Sequence, residues 1–205
     1  MMNQVIEHYD LLAEEGNDPV HDSPFLKEYM DKWDGQEFIE KLELEKTKTV
    51  LEIGIGTGRL AVRTVPLCGC FFGIDISAKT IELAKKNLAE WDNAVLLCGD
   101  FLTYTFPQTF DVIYSSLTFM HIEAKQIALN KVADLLKDGG RFVLSIDKNQ
   151  EGFIDIKSRK VPVFPDNPDG MVSKIKMAGL KIMEQFETEF AHVFVTDLSL
   201  DRVPM

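Results

Sequence analysis

Three cysteines in 205 residues are too few for a disulfide framework. Cys68-Gly69-Cys70 has no further Cys or His close by to close a zinc site, so no metal is expected. These two and Cys98 lie in or beside apolar strand-like runs and read as reduced, buried thiols. No apolar run approaches the length needed to cross a bilayer. The first residues, MMNQVIEHYDLLAEE, carry neither a basic start nor an apolar stretch, so no signal peptide and a cytoplasmic location are expected. Basic residues are also in short supply: 22 Lys and Arg stand against 33 Asp and Glu, a net charge of −11. Such a surface gains nothing from counterion release and repels phosphate, so neither nucleic acid nor anionic membrane is an expected partner. A neutral or cationic small molecule suits the field better. Repeats and low-complexity stretches are missing too. What remains is an ordinary globular balance, 45% hydrophobic and 27% charged, in a length that fits one domain with a real core.

From Thr49 onward, short apolar runs alternate with stretches of helical period. Thr49–Ile53, Cys70–Ile74, Ala94–Cys98, Phe110–Ser115 and Arg141–Ile146 read as strands buried on both faces. Between them lie helical patterns at Thr57–Val65 (stopped by Pro66), Ser77–Trp91 (Ser77 as N-cap) and Glu123–Leu136, ended by Asp138-Gly139-Gly140. A helix near Met171–Ala178 is closed by Gly179, and Leu180–Glu187 and Phe190–Thr196 are two further strands joined tightly enough to run antiparallel. The expected fold is α/β: a Rossmann-like, seven-stranded, mainly parallel sheet with helices on both faces and an antiparallel last strand. One domain spans 1–205. Within it, 1–46 form a helical lid, 47–147 a ligand-binding core, 148–168 an inserted hairpin around Ser158-Arg159-Lys160, and 169–205 the closing helix and strand pair.

Val50–Leu60 reads VLEIGIGTGRL, a strand, a glycine turn and a helix start. Glycines are needed where backbone turns tightly and approaches a ligand. A dinucleotide site prefers G-x-G-x-x-G, but Arg59 occupies the third-glycine place, and no Lys-Ser/Thr pair follows to make a P-loop. The chain here resembles the class I S-adenosylmethionine-dependent methyltransferases, whose E/D-x-G-x-G-x-G segment holds the amino-acid end of the cofactor. The resemblance implies that Glu52 sits near the cofactor's ammonium, with Gly54, Ile55, Gly56 and Gly58 as the loop beneath it. Gly73-Ile74-Asp75-Ile76-Ser77 follows the second strand, where an acceptor-only carboxylate can take ribose hydroxyls or cap the helix at Ser77. The resemblance gives Asp75 the ribose and Ile76 the adenine face. In Cys98-Gly99-Asp100-Phe101 it gives Asp100 the adenine amino group and Phe101 a backbone contact to the ring. In Phe110–Ile122 it places Ser115 and Leu117 along the methionine portion, and Tyr9 over the cofactor. LLKDGGRFVLSID, Leu135–Asp147, completes the resemblance, which covers roughly 48–147, about half the chain.

Methyl transfer from a sulfonium demands alignment above all, so the absence of a catalytic triad excludes nothing. A base is needed only when the acceptor must first lose a proton. His121 is the candidate general base, with a structural hydrogen bond at a helix start as the alternative. The implied function is methyl transfer from S-adenosylmethionine, leaving S-adenosylhomocysteine, to a small molecule, by a monomer or homodimer. Two other readings are a dinucleotide oxidoreductase and an S-adenosylmethionine-binding protein without turnover. The acceptor's pocket falls to His8-Tyr9-Asp10, His21, Tyr29 and Trp33 on one side and the Phe153–Phe164 hairpin on the other. Tyr29 and Trp33, one turn apart, form either an aromatic wall or a packing pair. Arg159 and Lys160 either bind an acidic acceptor or mark a solvated hairpin tip.

Overall fold

A sheet whose inner strands bury both faces needs helices above and below it, and the computed structural model, which describes residues 2–156 and 159–199, is built that way. Helices α1 (Met2–Glu14), α2 (Pro24–Met30) and α3 (Gly35–Lys41) precede β1 (Thr49–Ile53). Then come α4 (Ala61–Thr64), β2 (Cys70–Asp75), α5 (Ala78–Asn87), β3 (Ala94–Cys98), β4 (Phe110–Ser115), α6 (Lys125–Leu135) and β5 (Leu136–Asp147). Strands β6 (Phe153–Ile156) and β7 (Arg159–Pro162) form a separate hairpin before α7 (Pro168–Met177), β8 (Leu180–Glu187) and β9 (Ala191–Leu198). The main sheet runs β3-β2-β1-β4-β5-β9-β8. β1 to β5 pair in parallel, and β9 lies antiparallel to both neighbours, so the last strand alone is reversed.

Alternation along the strands sends side chains to two cores. Leu51, Ile74, Ile113 and Leu144 point to the face covered by α6 and α7, through Leu129, Val132, Met171 and Ile175. Val50, Phe71, Val112, Val143 and Val195 point to the face covered by α3, α4 and α5, through Phe38, Ala61 and Ile81. The chain order reverses between β1 and β4, and the carboxyl ends of those strands open the crevice where such sheets take ligands.

Several boundaries differ from the sequence reading, each for a visible reason. The helix expected from Thr57 shrinks to four residues, because the glycine turn runs on to Leu60 and Pro66 tightens the exit into a 3-10 turn. Asp138-Gly139-Gly140 bulges within β5: pairing with β4 steps from Leu136 straight to Arg141, with Gly139 at φ +70°. Of the expected lid, only α1 and α2 overhang the crevice. The apolar face Phe38, Ile39 and Leu42 makes α3 a core helix instead. Cys68 is buried and Cys70 half-buried, but Cys98 is exposed because β3 is the edge strand. The hairpin is present, although residues 157 and 158 at its turn, including Ser158, lie outside the described residues. Among the described residues no helix is long and apolar enough to cross a membrane.

Candidate active site

The carboxyl ends of β1, β2, β3, β4 and β5 open into one cavity of about 1240 Å³, roofed by α1, α2 and the β6–β7 hairpin. Its floor is the glycine turn. At Gly54, φ is +77° and an added Cβ would lie 1.9 Å from the Thr118 hydroxyl oxygen, so a side chain is excluded twice over. At Gly56, φ is +56° and nothing stands within 4 Å of where a Cβ would be, which leaves bare backbone open to a ligand. Ile55 lines the cavity and packs over Gly73, whose own Cβ would collide with it. Gly58, at φ +99°, shapes the turn without reaching the wall.

Glu52 lies on the wall with only 3% of its surface exposed. Tyr114 donates its hydroxyl to Glu52 Oε2 at 2.8 Å. Burial, outweighing that bond and the nearby Arg59, pushes the Glu52 carboxyl up to about 8. Asp75 Oδ2 accepts the Gly56 N–H at 2.8 Å, while Oδ1 accepts the Ser77 N–H at 2.9 Å and the Thr80 hydroxyl at 3.3 Å. It therefore holds Ser77, the residue that caps α5, and also ties β2 to the glycine turn. Burial raises its pKa against those bonds and the Ile76 N–H. Ile76, Asp100 and Phe101 continue the wall. Asp100 Oδ1 accepts the Leu102 N–H at 2.9 Å and fixes its own turn.

The loop after β4 is where the sequence reading slips by one residue. Ser115 is fully buried and donates its hydroxyl to the Ile53 carbonyl at 2.9 Å, where β1 breaks into the glycine turn, so it does not line the cavity. Ser116 does, and it donates to Asp34 Oδ2 at 2.7 Å. Leu117 lines the cavity at φ +57°, a backbone state a non-glycine residue holds only when its surroundings impose it. His121 faces Tyr9, whose hydroxyl lies 2.8 Å from Nε2. Burial pushes His121 down to about 4 and raises Tyr9, so both are uncharged near neutrality. Tyr9 is held there because Asp10, next along α1, accepts the Ser77 hydroxyl at 2.6 Å.

Asp34 is the residue the sequence did not announce. Its buried carboxylate takes a two-pronged contact from Arg59, whose Nη1 lies 3.0 Å from Oδ1, together with the Ser116 hydroxyl. Arg59, which stands where a dinucleotide site has glycine, thus braces the turn against α3. The only local hint was Asp34-Gly35 ahead of a helix. Tyr29 meets Trp33 and Phe190 edge to face, and Trp33 and Phe190 lie tilted against each other, at one end of the cavity. His8 is buried beside Tyr9 without reaching the wall, and His21 is exposed and bonded to Asn87. Arg159 pairs with Glu15 at the end of α1, and Lys160 lies over the Phe153 ring, so the structure uses both to fasten the hairpin.

A family model for the methyltransferase domain matches residues 50–140. An uncharacterized methyltransferase of Anoxybacillus flavithermus is 32% identical over 148 residues, 63% of this chain and 68% of that protein. The chain belongs to the class I S-adenosylmethionine-dependent methyltransferases. As a methyltransferase its cofactor is S-adenosylmethionine, and a second relative, from Bacillus cytotoxicus, is 33% identical over 54% of this chain and 52% of its own length. Two solved methyltransferase structures share the fold. NodS of Bradyrhizobium japonicum, an N-methyltransferase with S-adenosylhomocysteine, aligns with a TM-score of 0.67 at 18% identity, covering 87% of this chain and 90% of that one. The DhpI–S-adenosylhomocysteine complex aligns with a TM-score of 0.77 at 15% identity, covering 98% of each chain.

Proposed function

We propose that this methyltransferase acts on a small molecule seated between the glycine-turn wall and the aromatic end of the same cavity. The observation that carries this reading is the cavity's size under its roof. Pockets for one drug-sized ligand run to about 300–1,000 Å³, and this one, at about 1240 Å³, has room for a cofactor and a second small ligand. The residues present suit the cofactor. Bare backbone at Gly56 gives it a close approach, and the nearby Arg59 is bonded to Asp34 rather than to the buried Glu52 carboxyl, a partner that the methionine ammonium would provide. A carboxylate oxygen accepts about two hydrogen bonds; Asp75 Oδ2 takes the Gly56 N–H, which leaves it a place for one ribose hydroxyl. Ile76, Asp100 and Phe101 would flank the adenine, and Leu117 the methionine chain.

When bound, S-adenosylmethionine supplies an electrophilic methyl group on a good leaving group. The protein's part is to align and enclose. Tyr9, held by His121, closes α1 over the floor and excludes water. His121 stays in its proton-accepting form at neutral pH, and its Nε2 serves as the latch for the Tyr9 hydroxyl. A cytoplasmic small-molecule enzyme suits the acidic surface. The test is transfer of label from methyl-labelled cofactor into a fractionated cell extract. Label is expected in the low-mass fraction, and label confined to protein or nucleic acid would refute the small-molecule reading.

A further inference from the structure

The acceptor end of the cavity has a one-sided charge. Among the described residues the wall carries two basic side chains besides His121, and both are already engaged. Arg59 is locked to Asp34, while Lys148 donates to the Thr188 carbonyl at 2.7 Å and pairs with Glu187 at 2.9 Å. Acidic groups are not so balanced. Asp147, half-buried at the carboxyl end of β5, lines the cavity, and Glu123, Glu151 and Asp155 stand exposed around its rim.

Asp147 also lies beside the aromatic cluster. It faces Ala191 in the β5–β9 register, next to Phe190, and the neighbouring Ser145 hydroxyl donates to the Trp33 carbonyl at 2.6 Å. Phe190 and Trp33 have ring centroids 4.7 Å apart. These rings already accept an ammonium from outside the cavity: Lys32 Nζ, on a residue absent from the wall, lies 5.2 Å from the Phe190 centroid and 5.7 Å from that of Tyr29. A carboxylate next to aromatic faces is the pairing that holds a cationic nitrogen.

We propose that the methyl acceptor is an amine, held as its cation between Asp147 and the Trp33–Phe190 rings. This rests on the small-molecule reading above and names its substrate class. A neutral hydroxyl or thiol would leave Asp147 without a counter-charge, and a carboxylate acceptor would meet only like charge. Held beside Asp147 as an ammonium, the acceptor gives up one proton to water reaching in through the acidic rim before it reacts. The freed nitrogen lone pair then forms the bond to the methyl carbon as the carbon–sulfur bond breaks, its electron pair staying on sulfur. The product leaves as an N-methylammonium and S-adenosylhomocysteine.

The test is calorimetric titration of protein saturated with S-adenosylhomocysteine, using phenethylamine, phenethyl alcohol and phenylacetate as probes that differ in their polar head. The amine is expected to bind about tenfold or more tightly than the alcohol, with phenylacetate weakest. In Asp147→Asn that preference collapses while cofactor affinity is retained. Asparagine keeps an oxygen for the Asn149 N–H that Asp147 Oδ1 now accepts at 2.7 Å, so the turn survives. Equal binding of amine and alcohol, no binding by any of the three, or an amine preference untouched in Asp147→Asn overturns the proposal. Label transfer into extract, run in parallel, separates the two readings. Label in non-amine metabolites refutes the amine acceptor alone, and label confined to macromolecules refutes the small-molecule acceptor beneath it.

Discussion

A carboxyl group buried to 3% exposure beside bare backbone amides keeps its proton until a cation arrives. With Glu52 pushed up to about 8, most of the empty protein is protonated there at pH 7. Binding a cofactor whose ammonium pairs with the carboxylate should then release close to one proton. Calorimetry at pH 7 in buffers of different ionisation enthalpy reads that number directly, and the release should vanish in Glu52→Gln, with affinity falling about tenfold or more. The same shift sets a stability trend in the empty protein. The folded form holds the proton more tightly than the unfolded chain, whose value is near 4.5. The stabilisation is therefore complete below that value and is lost as pH rises through about 8. Thermal melts between pH 5 and 8 should fall more steeply for wild type than for Glu52→Gln; parallel curves would contradict the assignment.

Asp75 shows how far the sequence could go at single-residue scale. Its place after a parallel strand was legible, but the cap of α5 is Ser77, and Asp75 holds that residue and the Gly56 turn while lining the cavity. Asp75→Ala should weaken cofactor binding by more than about tenfold. It should also cost about 1–3 kcal/mol of stability, because the Gly56 amide and the N–H of the cap residue Ser77 lose their acceptor together. Denaturant melts and titration on one preparation separate the two effects. Ser115 and Ser116 show the opposite. Strand alternation tells that one faces the core and one the crevice, but the phase is fixed by where β1 breaks and by the positive φ at Leu117, neither written in the local pattern.

The inner strands of the sheet were readable because a strand buried on both faces is a continuous apolar run, and β1 and β2 were followed by a glycine turn and a helix cap. The roof was not, because its fastenings join residues far apart in sequence. Lys125 at the start of α6 is 7% exposed and pairs with Asp166 at 2.8 Å, while also donating to the carbonyls of Phe119 and Phe164. Phe164, leaving the hairpin, bonds back to Met120 beside His121. The hairpin is thus pinned to the loop that carries the Tyr9 latch. Lys125→Met should destabilise by about 3–5 kcal/mol, since it strands a buried carboxylate. Adding Asp166→Leu should return a large part of that loss, measured by denaturant unfolding. If the double variant is no more stable than the single, the pair is not the fastening described here.

At the scale of the whole molecule the charge of −11 acts on whatever approaches the cavity. The acids at its rim, Glu123, Glu151 and Asp155, extend that field to the entrance, and the basic side chains on the wall are already neutralised by partners. Substrate and product of the cofactor half-reaction differ by one charge. S-adenosylmethionine carries a sulfonium, an ammonium and a carboxylate, for a net positive charge, whereas S-adenosylhomocysteine has lost the sulfonium charge and is neutral overall. Steering by a distant field acts on net charge and is screened over about 10 Å at 0.1 M salt. The association rate of S-adenosylmethionine should therefore fall as salt is added, while that of S-adenosylhomocysteine stays nearly level. Both contact the same wall, so their dissociation rates should respond alike. Stopped-flow fluorescence, with Trp33 in the cavity as reporter, can follow both ligands across a salt series. Equal slopes for the two association rates would mean that the acidic surface plays no part in capture, and that selection of a cation begins only at Glu52 and Asp147 inside the cavity.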